Sequence, residues 1–306
     1  MLTFLTRRFV SSIPVLLAVL GLCFILVRIA PGSPFSAERA IDPTTRQLLE
    51  SKYGLSGSLV TQVVRYSGQV LRGDLGESLK YRGRTVKEII LQSLPRSLLL
   101  GSLSFTFALG IGIPLGAGAA AREGRFADTL LNTLALLTFS IPTFVLAPLT
   151  VLLFAFQLHW LPPAGWGTPS QIFLPALCLA LPFVGACARL TRSGLLQTLH
   201  SDYIRTARSK GVSEPKLVLL HGLRPALLPL VAYAGPLAAN ILTGSLVVEE
   251  VFAIPGIGQF FINGVINRDV FLVSGVVFVY CLLLLFFNLV ADGLTALLDP
   301  RIRVSS

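Results

Sequence analysis

Long apolar runs divide this 306-residue chain, and no other feature limits its folding so severely. They lie at about residues 9–30, 97–121, 129–157, 171–190, 225–248 and 270–291. A run of roughly 20 residues crosses about 30 Å of hydrocarbon as a helix, which satisfies its own backbone hydrogen bonds where no water can. Composition agrees. The chain is 53% hydrophobic and 13% charged, against about 25% charged residues in soluble domains, and its mean hydropathy is +0.76. The expected fold is all-α, an integral membrane protein with six transmembrane helices. The first run exceeds the roughly 7–15 apolar residues of a signal peptide, and Arg28 spoils a small-x-small cleavage site near Ala30, so it reads as an uncleaved anchor.

Charge sets the expected orientation, because short loops rich in Lys and Arg stay in the cytoplasm. Arg7 and Arg8 precede the first run, Arg122 and Arg125 separate the second from the third, and Arg301 and Arg303 close the tail. Residues 189–224 carry Arg189, Arg192, Arg205, Arg208, Lys210, Lys216 and Arg224. The opposite connection, HWLPPAGWGTPS, has no charge unless His159 is protonated, and its two tryptophans suit a membrane interface. Both termini are therefore expected in the cytoplasm. The connection 31–95 holds nine Lys or Arg residues, but the charge rule weakens in loops of about 60 residues, and it is placed outside. The net charge of +10 follows from this topology, and no basic stripe interleaved with aromatics points to nucleic acid.

Several chemistries lack their residues. The four cysteines are scattered through apolar runs without paired spacing, and the three histidines form no HExxH or similar set, so neither a metal site nor a catalytic centre is expected. An ion-driven carrier calls for ionisable groups at mid-membrane. Here Arg28, Arg189, Glu249 and Asp292 lie near the ends of the runs, and the middles offer Asn132, Asn240, Asn288 and hydroxyls. No GxxxxGK[ST] phosphate loop occurs, so this chain binds no nucleotide in the usual way and a separate ATPase is the expected energy source.

Within the second run, Gly112 to Gly116 forms a GxxxG, read first as close helix packing. In 31–95, TRQLLESKYGL and LVTQVVRYSGQVLRGDLG read as short helices, the first closed by Gly54. RTVKEIILQSLPRSLLL reads as an interfacial helix that Pro95 turns into the second span. DYIRTARSKGVSEPKLVLLHGLRPALLP, residues 202–229, is a basic helix, a glycine turn and a second amphipathic run, a pattern suited to docking a cytoplasmic partner. VEEVFAIPGIGQFFINGVINRD is too polar and turn-rich to cross the bilayer, and Pro255, Gly256 and Gly258 break it into a re-entrant or interfacial element. Glu249 and Glu250 can attract an amino group there or pair with Arg268.

Taken together, the opening RRFVSSIPVLLAVLGLCFILVRIAPGSP, then KYGL, RGDLGESL, DYIRTARSKG, VEEVFAIPGIGQFFINGVINRD and DPRIR, in this order, resemble the permease subunits of dipeptide and oligopeptide ATP-binding-cassette importers. That class also includes nickel and glutathione systems. The resemblance runs almost end to end and implies a type I importer permease (MetI-like) fold in a bacterial inner membrane. It divides the chain into an N-terminus with the first helix (1–30), an external helical segment (31–95), and a five-helix core (96–306) with a coupling loop at 191–224. DYIRTARSKG is similar to the EAA motif, so Arg205, Thr206 and Ala207 take the E-A-A places and Gly211 the glycine. Asp202, Tyr203 and Lys210 belong to the same ATPase-coupling set. The resemblance implies an external gate or substrate path at Glu249, Glu250, Pro255, Gly256 and Gly258, with Asn240 in the span. It implies a second homologous permease, two ATPase subunits that bind the ATP and Mg, and an extracytoplasmic solute-binding protein. The expected cargo is a di- or oligopeptide, with nickel chelates or glutathione as alternatives. An ion-gradient-driven carrier is the reading from another class.

Overall fold

The computed structural model describes residues 2–31 and 43–298. Arg301, Arg303 and the DPRIR segment lie outside these residues, as do the side chains of Arg7 and Arg8. In chain order the helices are α1 (Leu2–Ile29), α2 (Pro43–Lys52), α3 (Leu59–Leu71), α4 (Val86–Ala120), α5 (Phe126–Ser140) and α6 (Thr143–Val151), which continues as a π-helical segment, Leu152–Gln157. Then follow α7 (Pro169–Leu199), α8 (Asp202–Ser209), α9 (Glu214–Lys216), a second π-helical segment (Leu217–Gly222), α10 (Leu223–Ala226), α11 (Leu228–Val251), α12 (Ile257–Ile266) and α13 (Val270–Leu298).

Five of these are long and apolar enough to cross a membrane: α1, α4, α7, α11 and α13. The third run differs from the single span expected at 129–157. It is two helices, α5 and α6, bent by 99° at the Ile141–Pro142 break. Pro142 has no N–H to continue the ladder and pushes Ile141 into an extended conformation, φ −94° and ψ 118°. Counting the bent pair as one span restores six. Pro95 does the opposite of what was expected, since α4 runs unbroken from Val86 to Ala120 through it. At about 1.5 Å per residue the helix is roughly 52 Å long, so a good part of it stands outside the hydrocarbon. A reciprocal cap starts it: the Thr85 N–H donates to the Glu88 carboxylate at 3.1 Å and the Glu88 N–H to the Thr85 hydroxyl at 3.2 Å.

The described chain groups into two compact units. One comprises Leu5–Ser97 and Pro255–Leu285. Its centre is an aromatic cluster of Phe24, Tyr66 and Phe271, with ring centroids 5.3 to 6.3 Å apart. The buried Tyr66 hydroxyl donates toward the carbonyls of Leu75 and Phe271, at 3.4 and 3.3 Å. Arg28, at the end of α1, holds the 50–62 region through the Leu55 carbonyl (3.2 Å), the Gln62 side chain (3.3 Å) and Glu50 (3.9 Å). Gly54, with φ +65°, turns the chain after α2 as the sequence suggested.

Asp269 is the buried polar pin of this unit. Its carboxylate accepts from the Ser78 hydroxyl, from the Lys80 N–H at 3.1 Å and from the Leu272 N–H at 3.1 Å, which caps α13 and ties it to the loop before α4. Asp269→Ala is expected to leave a buried N–H, a part-buried N–H and a buried hydroxyl without their acceptor, at a cost of about 2–4 kcal/mol. A drop in the thermal midpoint of the detergent-solubilised chain, partly recovered by Asp269→Asn, is the check.

Among the described residues, the other unit comprises Leu98–Ile254 and the end of α13 from Phe286. It is built around α7, whose glycines admit backbone contacts. A Cβ on Gly185 would lie 2.1 Å from the Ala135 carbonyl of α5, and one on Gly194 would lie 2.3 Å from the Ala226 carbonyl of α10. From the other side, Gly112 and Gly116 of α4 press on α7, with Cβ distances of 2.9 Å to the Val184 carbonyl and 2.3 Å to the Ala188 carbonyl. The GxxxG is thus a packing device. Arg192 of α7 grips Asp128 of α5 through two hydrogen bonds, 2.6 and 2.7 Å long.

Candidate coupling site and transport path

The segment after α7 folds as a short helix, a glycine turn and a return. Asp202–Ser209 forms α8, with Asp202 in the first turn, where a negative charge suits the helix dipole. Gly211 takes φ +80°, a conformation that L side chains rarely adopt, and its N–H closes the helix on the Arg208 carbonyl at 3.0 Å. The sequence reading of a helix and a glycine turn holds here.

Side-chain placement gives the helix two faces. Ile204 is fully buried and Ala207 half-buried, so this face rests on the chain's own body. Asp202, Arg205, Thr206 and Ser209, at i, i+3, i+4 and i+7, share the opposite face, and all are exposed. The three residues in the E-A-A places therefore do not act alike: Arg205 and Thr206 point outward and Ala207 inward. Tyr203 is half-exposed and donates to the His221 carbonyl at 3.3 Å. Lys210 and Gly211 are exposed at the turn.

Two residues that sequence reasoning missed fix this geometry. Ile204 is the apolar residue on the inner face of an otherwise polar octamer, a signal visible in the pattern. Leu217, equally buried, anchors the return. Arg208 then bridges the turn to Glu214 with two hydrogen bonds, the longer 3.1 Å. The guanidinium holds the Glu214 carboxyl below the usual carboxylate range, so the bridge persists as pH falls from neutral until that depressed value is reached. Behind it, the close Gly194–Ala226 contact locks α7 to α10, and α10 leads into α11.

In the candidate path, the structure separates residues that the sequence placed together. Glu249 is buried within its unit, whereas Glu250 is exposed. The two carboxylates therefore do not share one exposed face. Asn240 is exposed near the middle of α11, on one stripe with Ala232, Pro236, Thr243, Val247 and Glu250. The Thr243 hydroxyl is returned to its own helix, to the Ala239 carbonyl at 3.1 Å. The Asn240 amide has no hydrogen-bond partner among the described residues. A bare amide facing hydrocarbon costs several kcal/mol by transfer scales, so this stripe suits water or a polar partner better than lipid.

Pro255 and Gly256 form the turn into α12, ten residues long and too short to span, and Gly258 lies in its first turn. Its anchors also escaped the sequence reading. The Ile257 N–H donates to the buried Ser97 hydroxyl at 2.9 Å, and Arg96 donates to the Pro255 carbonyl at 3.1 Å. Gly256 and Gly258 are buried and Pro255 half-buried, so the turn is held rather than open.

Comparison with known proteins agrees with this architecture. Residues 112–304 match the family described as "Binding-protein-dependent transport system inner membrane component". The oligopeptide transport system permease protein OppB of Haemophilus influenzae is 40% identical over 305 residues, covering 99% of this chain and 100% of the relative. OppB of Escherichia coli K12 is 41% identical over the same lengths. The dipeptide transport system permease protein DppB of Bacillus subtilis is 37% identical over 304 residues and 99% of both chains. Among solved structures, the inward-facing MetNI methionine ABC transporter is similar in fold, with TM-score 0.58 and 19% identity over 69% of this chain and 96% of that one. The chain belongs to the family of binding-protein-dependent transport system inner membrane components.

Proposed function

We propose that this chain is the membrane permease of an ATP-driven importer for di- and oligopeptides. The observation that carries this is α8: a helix seated on the chain's own core by Ile204, with an exposed polar face, placed between α7 and the α10–α11 run that packs on α7 through Gly194 and Ala226. That is the form of a lever awaiting a partner. The partner is one of two ATPase subunits, which hold the ATP and Mg, and the lever face is Asp202, Arg205, Thr206 and Ser209. A second, homologous permease completes the path, and a solute-binding protein delivers cargo on the far side. Both termini and α8 lie in the cytoplasm. ATP binding draws the coupling helices together and opens the path outward; hydrolysis resets it.

The peptide assignment draws on the relatives, whose names specify oligopeptide and dipeptide transport. The α11 stripe with Asn240 and Glu250 lines the path or meets the second permease. A strain lacking only this chain should fail to take up a labelled tripeptide and recover with the gene restored. Unchanged peptide uptake, with loss of nickel-chelate or glutathione uptake, would redirect the assignment within the same importer class. Uptake that survives loss of the ATPase and collapses with the ion gradient would move it to a secondary carrier.

A more local prediction concerns the stripe. Asn240→Leu is expected to lower peptide uptake about fivefold or more while membrane yield is unchanged, because it replaces a path-facing amide by an apolar side chain. Uptake equal to wild type would count against a path-lining role for Asn240.

A further inference from the structure

A cavity of about 710 Å³ opens between the end of α4, the 121–125 turn, the end of α7 and the segment after α8, all within one unit. One side is aliphatic, with Pro114, Ala117, Leu199, Val218 and Leu219. The rim is charged. Of its carboxylates, Glu214 is held by Arg208 through two hydrogen bonds, and Glu123 lies 3.6 Å from His200, an ion pair only when the imidazole is protonated. That leaves Arg122 and Arg125, both exposed, without a carboxylate partner among the described residues. Arg122 makes only a long contact, 3.5 Å, with the Gly118 carbonyl.

Exposed apolar side chains lie beside this rim, as suits a boundary between water and hydrocarbon. Phe126, next to Arg125, is 82% exposed, and Leu219 is 61% exposed. A ligand that suits the cavity carries one anionic group for two guanidinium groups and an aliphatic part for the wall. We propose that the cavity binds an acidic phospholipid of the adjoining leaflet, its phosphodiester on Arg122 and Arg125 and an acyl chain along the Ala117–Leu219 wall. Arginine suits this role because its planar fork binds phosphate oxygens in pairs. Because Arg208 and Glu214 also border the cavity, the lipid braces the turn that follows α8. This inference needs only that the chain spans a membrane, and it stands apart from the peptide assignment.

The test is native mass spectrometry of the delipidated full-length chain titrated with phosphatidylglycerol, phosphatidylcholine of the same acyl chains, or soluble glycerol 3-phosphate. Phosphatidylglycerol should be retained about thirtyfold better than phosphatidylcholine, given roughly 1 kcal/mol for each of the two basic residues at a membrane surface. R122Q/R125Q should remove that preference. R72Q/K87Q, with the same change in net charge away from the cavity, should keep it. L219E, which leaves both arginines in place and alters the wall, should weaken lipid retention, and glycerol 3-phosphate should not displace the lipid. Retention of the preference by R122Q/R125Q overturns the proposal, as does its equal loss in R72Q/K87Q. Full displacement by glycerol 3-phosphate at equal concentration would reduce the site to a phosphate site and overturn the lipid assignment.

Discussion

Valine at Gly185 or Gly116 is expected to abolish a correctly packed spanning bundle. The added Cβ at Gly185 would stand 2.1 Å from the Ala135 carbonyl and 2.7 Å from the Thr138 hydroxyl. At Gly116 it would stand 2.3 Å from the Ala188 carbonyl and 2.8 Å from the Thr191 Cβ. Both clashes involve the backbone of a neighbouring helix, which cannot swing aside as a flexible side chain can. Relief requires the helices to part, and the contacts that hold them in a membrane are van der Waals packing of this kind. A cost of at least about 3 kcal/mol, at the upper end for overpacking, is a large share of a typical folding free energy. Fluorescence-detected gel filtration should show loss of the monodisperse peak for either variant. Gly110→Val is the matched control, because nothing lies within 4 Å of a Cβ there. Normal yields for Gly185→Val would mean that α5 and α7 do not pack as described.

Gly211→Val has a different expected signature. Nothing lies within 4 Å of a Cβ at Gly211, so the strain is conformational only and arises from φ +80°. An ordinary residue in that region costs about 1–2 kcal/mol, and a β-branched one more. The exposed turn can relieve this by changing its path, which re-aims α8 without disturbing the spanning helices. Membrane yield should therefore be near normal, with ATP hydrolysis continuing while peptide uptake falls about tenfold. Gly211→Asn should be milder, because Asn tolerates the left-handed region. Unchanged uptake by Gly211→Val would count against the coupling role of this turn.

The parts of the fold that the sequence made legible are those set by local chemistry. Apolar length marked the spans, Gly54 and Gly211 marked left-handed turns, and Gly112 and Gly116 marked a close helix contact. Prolines were harder to read, because their effect depends on what surrounds them. Pro95 sits inside a continuous helix, while Pro142 breaks one. In the coupling segment the sequence marked the helix but not its orientation. Which of Arg205, Thr206 and Ala207 faces outward depends on Ile204 finding a buried seat, which is a tertiary fact. The same holds for Glu249 and Glu250, adjacent in sequence yet on opposite sides of the surface. Asp269, Ser97 and Arg96 were missed because each acts on backbone groups far along the chain, more than 150 residues away for Ser97 and Arg96.

The central claim, that the outer face of α8 receives an ATPase, is tested most directly by copurification in mild detergent. The wild-type chain should retain a second six-span protein and ATPase subunits. A variant with R205E and T206E on that face should keep the second six-span protein and lose the ATPases. Equal retention of the ATPases by the variant, or recovery of this chain alone with transport intact after reconstitution, would contradict the account.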